Sequence, residues 1–151
     1  MLGLVEIGED NFFAFRALRV NEEQQRFLDS PLGILARGYV YRSSRARVFG
    51  IAEDGQALGL ALVKDLDEEP ACYDLQQFLI DRRRQGKGCG ARALALILEE
   101  LARERKYDCV EVCVHRENGA ALRLFERCGF ADTGYVDEAA PDCVNLMRRL
   151  G

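Results

Sequence analysis

The sequence predicts one mixed α/β domain, residues 1–151, whose second half runs strand, helix, strand, helix, strand, strand. Three observations lead there. Arg47 to Glu53 and Gln56 to Lys64 flank Asp54-Gly55, a hairpin signal between two apolar runs. Leu94, Ile97, Leu98 and Leu101 recur at i, i+3, i+4 and i+7, and Ala121, Leu124, Phe125 and Cys128 repeat that spacing, so two amphipathic helices are expected. A strand-like run, Cys72 to Ile80, meets the first of these helices through a glycine-rich turn. This order suits neither a doubly wound sheet nor a barrel.

In chain order, Leu2 to Ile7 alternates enough for a first strand. Asp10 is placed to cap a helix through about Val20, with Phe12, Phe13, Phe15 and Leu18 as its apolar residues. Asn21 to Leu28 and Leu32 to Tyr39 read as shorter helical pieces, broken near Pro31. After the hairpin, Asp65-Leu66-Asp67-Glu68-Glu69-Pro70 reads as an acidic loop. Asp108 to Val114 reads as a strand, and Gly129 stands where the last helix should stop. Strands near Phe130 to Val136 and Cys143 to Arg149 complete the chain. There is no internal repeat, low-complexity tract or linker.

The bulk properties exclude several classes. A chain of 151 residues buries enough surface to fold without a disulfide or metal. The net charge of −4 gives no general affinity for nucleic acid or an acidic membrane, and permits a cationic substrate. No run approaches the ~18 apolar residues of a membrane span. Met1 to Asp10 has no basic patch followed by an apolar core, so no signal peptide and a cytoplasmic protein are expected. Six cysteines include no Cys-x-x-Cys pair for zinc. Cys109 and Cys113 lie about 13 Å apart on a strand, too far for a bridge. Buried free thiols and no metal site are expected.

The segment Gln85-Gly86-Lys87-Gly88-Cys89-Gly90-Ala91 is the most informative. Its glycines let successive N–H groups converge on one point, and the helix that follows adds unpaired donors and a positive dipole end. The product is a pyrophosphate site, with Arg82, Arg83, Arg84 and Lys87 supplying positive charge. Lys87 is not followed by Ser or Thr, so a nucleotide-triphosphate loop is excluded. The dinucleotide fingerprint needs a glycine one place later than Gly90. What remains is Gln-x-x-Gly-x-Gly, carried by Gln85, Gly88 and Gly90.

That loop resembles the acyl-CoA loop of the GNAT superfamily of acetyltransferases. Phe78-Leu79-Ile80-Asp81 before it looks like the family's central strand, whose splayed end holds pantetheine. Asn118-Gly119-Ala120-Ala121-Leu122-Arg123-Leu124-Phe125 resembles the Asn-x-x-Ala-x-x-Leu-Tyr helix, and Arg127-Cys128-Gly129-Phe130 its Gly-Phe ending. A narrower resemblance, to bacterial spermine/spermidine (diamine) acetyltransferases, lies in Glu22 to Phe27, Leu35 to Tyr39 and Gln76 to Asp81. The resemblance implies a mixed, mostly antiparallel sheet flanked by helices and splayed at the central strand. It implies acetyl-CoA as co-substrate, a small-molecule amine as partner, and a homodimer as a possible assembly.

The implied reaction moves acetyl from the CoA sulfur to an amine by direct attack, with both substrates bound at once. The protein must align the amine, remove its extra proton and polarise the thioester. Backbone groups of Phe78, Leu79 and Ile80 are the candidate donors to pantetheine, and Asn118, Ala121 and Phe125 its helical wall. Asp74 is the candidate base: the resemblance implies a carboxylate four residues before Phe78, and alternation places Asp74 on the same strand face as Phe78. Cys89 packs within the loop. Glu22, Glu23 and Asp67 to Glu69 are placed to attract a polyamine. Phe125 departs from the family pattern: tyrosine is usual there as the acid for the leaving thiolate. Tyr107, Tyr135, water or the departing ammonium proton are the substitutes, and His115 is a possible relay. Other acceptors remain open, namely an amino acid, an antibiotic or a protein amine. So does a weakly catalytic acyl-CoA-binding module.

Overall fold

A computed structural model describes Met1 to Gly151. Its third strand sets the architecture. Leu58 to Val63 are buried without a break, so this strand needs a layer on each face. Leu60 and Leu62 pack with Phe15, Leu18 and Ile34 on one side; Ala61 and Val63 pack with Leu94, Ile97 and Leu101 on the other.

The seven strands are β1 (Leu2–Val5), β2 (Arg47–Glu53), β3 (Gln56–Leu66), β4 (Cys72–Ile80), β5 (Cys109–His115), β6 (Ala131–Asp132) and β7 (Cys143–Arg149), ordered β1-β2-β3-β4-β5-β7-β6. Every neighbouring pair is antiparallel except β4–β5. That parallel pair needs a crossover, which α4 (Cys89–Glu104) supplies. α4 and α5 (Gly119–Arg127) cover one face; α1 (Phe12–Arg16), α2 (Glu22–Gln25) and α3 (Pro31–Val40) lie towards the other. No helix is long and apolar enough to cross a membrane.

The second half matches the sequence reading closely. Asp54 and Gly55 both have positive φ, +50° and +82°, as a tight hairpin with right-handed twist requires. Leu94, Ile97, Leu98 and Leu101 form the buried face of α4. Asn118 caps α5 through a bond from Ala121 N, and the chain turns out of the helix before Gly129.

The first half differs. α1 is capped at Asn11, not Asp10, and stops at Arg16 rather than Val20. The backbone of Arg19 turns to the end of the sheet instead: its N–H donates to Asp81 Oδ1 at 2.9 Å and its carbonyl accepts from Arg82 N at 2.6 Å. α2 is one turn with no buried residue. Pro31 opens α3 at its first position, with Ser30 capping Gly33 N at 3.0 Å. The acidic loop begins later than its composition suggests. β3 runs to Leu66, and Asp65 is buried inside it, bonded to Arg45 at 2.6 Å and to Lys106. β6 is two residues, not seven, because Thr133 and Asn145 satisfy the following backbone with side-chain bonds.

Two features of β4 open the middle of the sheet. Leu62 pairs with Gln77 but Val63 with Leu75, so Gln76 is an extra residue, a bulge. β4 then pairs with β5 over three rungs only, Tyr73–Val110, Asp74–Glu111 and Leu75–Val112. Beyond them the two strands diverge.

Candidate active site

The divergence leaves a cavity of about 550 Å³, lined by β4 from Leu75 to Phe78 and by β5 from Val112 to His115. Its volume lies in the range of small-molecule sites. Its lining includes Gln85, Gly86, Gly88, Gly90 and Ala91 of the glycine loop and Gln24, Phe27 and Leu28 of the α2 segment, which meets the loop where Gln85 Nε2 donates to Gln24 Oε1 at 2.8 Å. The middle is apolar, with Phe78, Ala121, Leu124 and Phe125 on its walls.

The glycine end is built for an anion. Gly86 and Gly88 have φ of +78° and +77°, conformations that only glycine adopts at no cost. Gly88 caps α4, and the first backbone bond of that helix runs from Arg92 N to Gly88 O at 3.2 Å. The amides of Cys89, Gly90 and Ala91 therefore have no helical partner and point out of the helix start. Gly90 is different: its backbone is helical, and an added Cβ would meet only Leu124, at 3.5 Å. These donors, followed by the apolar cleft, fit a pyrophosphate carrying a long flexible chain.

The comparisons with known proteins agree. A family model described as the acetyltransferase (GNAT) family matches residues 8–130. The chain belongs to the GNAT acetyltransferases. It is thus an acetyl-CoA-dependent N-acetyltransferase, and the seven-stranded, mostly antiparallel sheet with its five helices is the GNAT fold. The spermine/spermidine N(1)-acetyltransferase of Bacillus subtilis is 26% identical over 144 residues, which cover 90% of this chain and 91% of that protein. The crystal structure of spermidine N-acetyltransferase from Vibrio cholerae, in complex with CoA and spermine, superimposes with a TM-score of 0.77 at 18% identity, covering 99% of this chain and 95% of that one. An aminoglycoside acetyltransferase in complex with coenzyme A gives 0.80 at 16% identity, covering 99% and 95%.

Within this GNAT domain, the structure sorts the residues singled out from sequence. Phe78, Ile80, Gln85, Gly86, Gly88, Gly90, Ala91, Asn118, Ala121 and Phe125 all line the cavity. Leu79 does not, since its side chain packs with Leu60 and Leu62 towards α1 and α3. Cys89 is buried against Ile51, Leu58 and Ala93. Arg84 is turned away: it bonds Glu53 Oε1 and Gln56 Oε1, each at 3.1 Å, on the β2–β3 hairpin. Arg83 is held by Asp81 at 2.7 Å. The positive charge expected around the loop from these two arginines is therefore largely spent on neighbouring carboxylates. Lys87 is exposed at the loop tip, outside the lining.

The bulge corrects the reading of Asp74. Tyr73 and Leu75 face α4 and α5; after the extra Gln76, Phe78 and Ile80 face that way. Asp74 thus lies on the opposite face from Phe78, and it does not line the cavity. Its Oδ2 accepts from Gln76 Nε2 at 3.0 Å, and Gln76 Oε1 accepts from Arg37 at 3.1 Å. Burial raises the Asp74 pKa, helped by neighbouring Glu111, although Gln76, Lys64 and Arg37 pull the other way.

Other expectations move as well. Tyr107 bonds Asp67 at 3.0 Å and stacks on Tyr73 at the start of β4, far along the strand from the glycine loop, and Tyr135 is an exposed side chain outside the lining. Asp67 is paired with Arg45 at 2.6 Å at that same distant end. Glu22 and Glu23 are exposed on α2 and do not enter the cavity.

Sequence reasoning missed Gln77, Cys113 and Phe27. Cys113 lines the cavity on the face carrying Asp74 and Glu111. It is exposed, against the expectation of buried thiols, and all six cysteines are free; desolvation against the cavity wall, its neighbour Cys143 and the charges of Asp74 and Asp137 push its thiol up to about 12. His115, the possible relay, lines the cavity with its ring 5.1 Å from Phe27. Its Nδ1 accepts from Glu117 N at 3.1 Å, so the neutral ring carries its proton on Nε2.

Proposed function

We propose that this enzyme acetylates a primary amine of a small di- or polyamine, by direct attack with both substrates bound together. One observation carries the reading. A single cavity lies between β4 and β5 and is lined both by the glycine loop and by the α2 segment. A donor and an acceptor held in that one cavity react with no covalent relay through the protein.

Acetyl-CoA supplies the activated thioester. The Cys89 to Ala91 amides would hold its pyrophosphate, and Asn118 and Ala121 would flank the pantetheine arm. Past Leu75, the β5-facing backbone groups of β4 lack a strand partner, which leaves donors and acceptors for that arm. Ile80 O is the exception, taken by Gln85 Nε2 at 2.8 Å. Phe78, Phe125 and Phe130 pack edge to face, at 6.2 and 5.2 Å, and exclude water from the middle of the cavity.

The preference for a cationic acceptor rests on one nearby charge. Asp74 lies behind the cavity wall, beside Gln76, which lines it. No carboxylate lines the cavity itself, so an amine is drawn in without being trapped in an ion pair. The relatives that act on spermine and spermidine point the same way. Asp74 then serves as an electrostatic guide, and solvent at the α2 end takes the proton of an ammonium whose pKa is about 10.4.

A panel of amines with acetyl-CoA, read by thiol release, tests this. Spermidine, spermine and a diamine should turn over faster than neutral or anionic amines. Turnover of another amine with none of a polyamine would refute the acceptor assignment.

A further inference from the structure

The Gln85 side chain is not aimed at the anion end of the cavity. Its Nε2 donates to Ile80 O and to Gln24 Oε1, both at 2.8 Å, and its Oε1 accepts from Asn21 Nδ2 at 3.3 Å. Both donors and one of the two acceptor positions of the amide are used, and two of its three partners lie on the Asn21–Leu28 segment. At the other end of that segment, Arg26 pairs with Glu117 at 3.0 Å and Phe27 stacks on His115. Arg26 also lies over the Phe27 ring at 4.5 Å.

The segment therefore spans the gap between β4 and β5. Val20 and Leu28 anchor the two ends of the segment on the Phe15–Ile34 cluster, and Asp29 N donates to Gln77 Oε1 at 2.9 Å, but the α2 turn between them buries none of its own residues. Its fasteners instead stand on the elements that form the anion site and the helical wall. Gln85 begins the glycine loop, and Glu117 precedes Asn118.

We propose that Gln85 and Glu117 are positioning residues for the acceptor amine: they fasten Asn21–Leu28 across the cavity, so the donor-binding elements set the acceptor wall. This rests on the reading that the amine enters at the α2 end. Gln85 is the stronger fastener, because its bond to Gln24 is partly buried while the Arg26–Glu117 pair is exposed.

The test uses Gln85→Ala and Gln24→Ala in the full chain. Gln24→Ala removes the same bond from the strap side without touching the loop. Each should raise KM for the best acceptor by about 5- to 20-fold, as loss of one or two hydrogen bonds allows. Turnover should stay within about threefold and CoA affinity, by calorimetry, within about twofold. A general loss of stability would not produce that split. In amide exchange, CoA alone should slow residues 21–28 in the wild type, and in Gln85→Ala that protection should disappear. The exchange arm needs no acceptor, so it answers even if no polyamine is acetylated. The proposal is overturned if KM and the protection both survive Gln24→Ala. It is equally overturned if CoA affinity falls as far as KM rises, which would assign Gln85 to the cofactor.

Discussion

Asp74 and Phe78 stand four residues apart on one strand and project to opposite faces of the sheet. Simple alternation puts them on the same face; the extra Gln76 between them reverses the parity. A carboxylate on the α3 side, separated from the cavity by Gln76, acts through its field rather than by contact.

Asp74→Asn should accordingly raise acceptor KM by about three- to tenfold and leave kcat within about threefold, as removal of one nearby charge worth ~1 kcal/mol would. A direct base would instead cost about 10²–10⁴-fold in kcat. The pH profile separates the two as well. As pH falls through the raised Asp74 pKa, the carboxylate is neutralised and wild-type KM should climb; in the variant that limb should flatten. Steady-state kinetics with spermidine across pH measures both.

At the glycine loop the cost of substitution is conformational at one position and small at another. Gly88→Val places a branched side chain at φ +77° and should weaken CoA binding by about tenfold or more. Gly90→Ala keeps a helical backbone and touches only Leu124, so affinity should stay within about threefold. Calorimetry with CoA reads both.

Phe125 is 4% exposed and packs between Phe78 and Phe130 while lining the cavity. Phe125→Tyr should leave CoA affinity nearly unchanged and keep or raise turnover, by up to about 10²-fold if protonation of the leaving thiolate limits the rate. A large fall in turnover with folding and CoA binding intact would show that the site depends on an apolar residue there.

Asp65 should govern acid stability. Burial opposes its charge, but Lys106, Arg45 and Arg47 outweigh burial and hold its pKa below the ordinary value. A lowered folded pKa means the stabilisation is complete above about pH 4, the unfolded value, and is lost as pH falls through the folded one. Asp65→Asn should cost about 2–3 kcal/mol at neutral pH. That is less than the ~3–5 of a fully buried pair, because all three cations reach solvent. Its acid limb should also be shallower than the wild type's, by urea unfolding at several pH values.

The parts legible in the sequence were those written in local chemistry. The α4 face, the Asp54-Gly55 turn, the Asn118 cap and the glycine loop each announce themselves within a few residues. The first half is set by distant partners instead. α1 stops at Arg16 and the Arg19 N–H goes to Asp81, 62 positions away, and no local pattern marks that. Arg84 looked like a phosphate ligand because its partner Glu53 lies 31 residues back. The bulge at Gln76 carries no glycine or proline to betray it. Gln85 was legible as a motif residue, but the destination of its side chain was not.

Three rungs join β4 to β5, and they are the whole seam between two antiparallel plates, β1 to β4 and β5 to β7. On the α4 face the two plates share one buried core, so the gap beyond the seam opens where that core does not reach. Whatever fills the gap beyond it acts as a wedge. Tight packing of a ligand arm there would brace both plates at once, so ligand binding and the rigidity of the sheet should rise together. The opening that admits the substrates is also the joint that their binding stiffens.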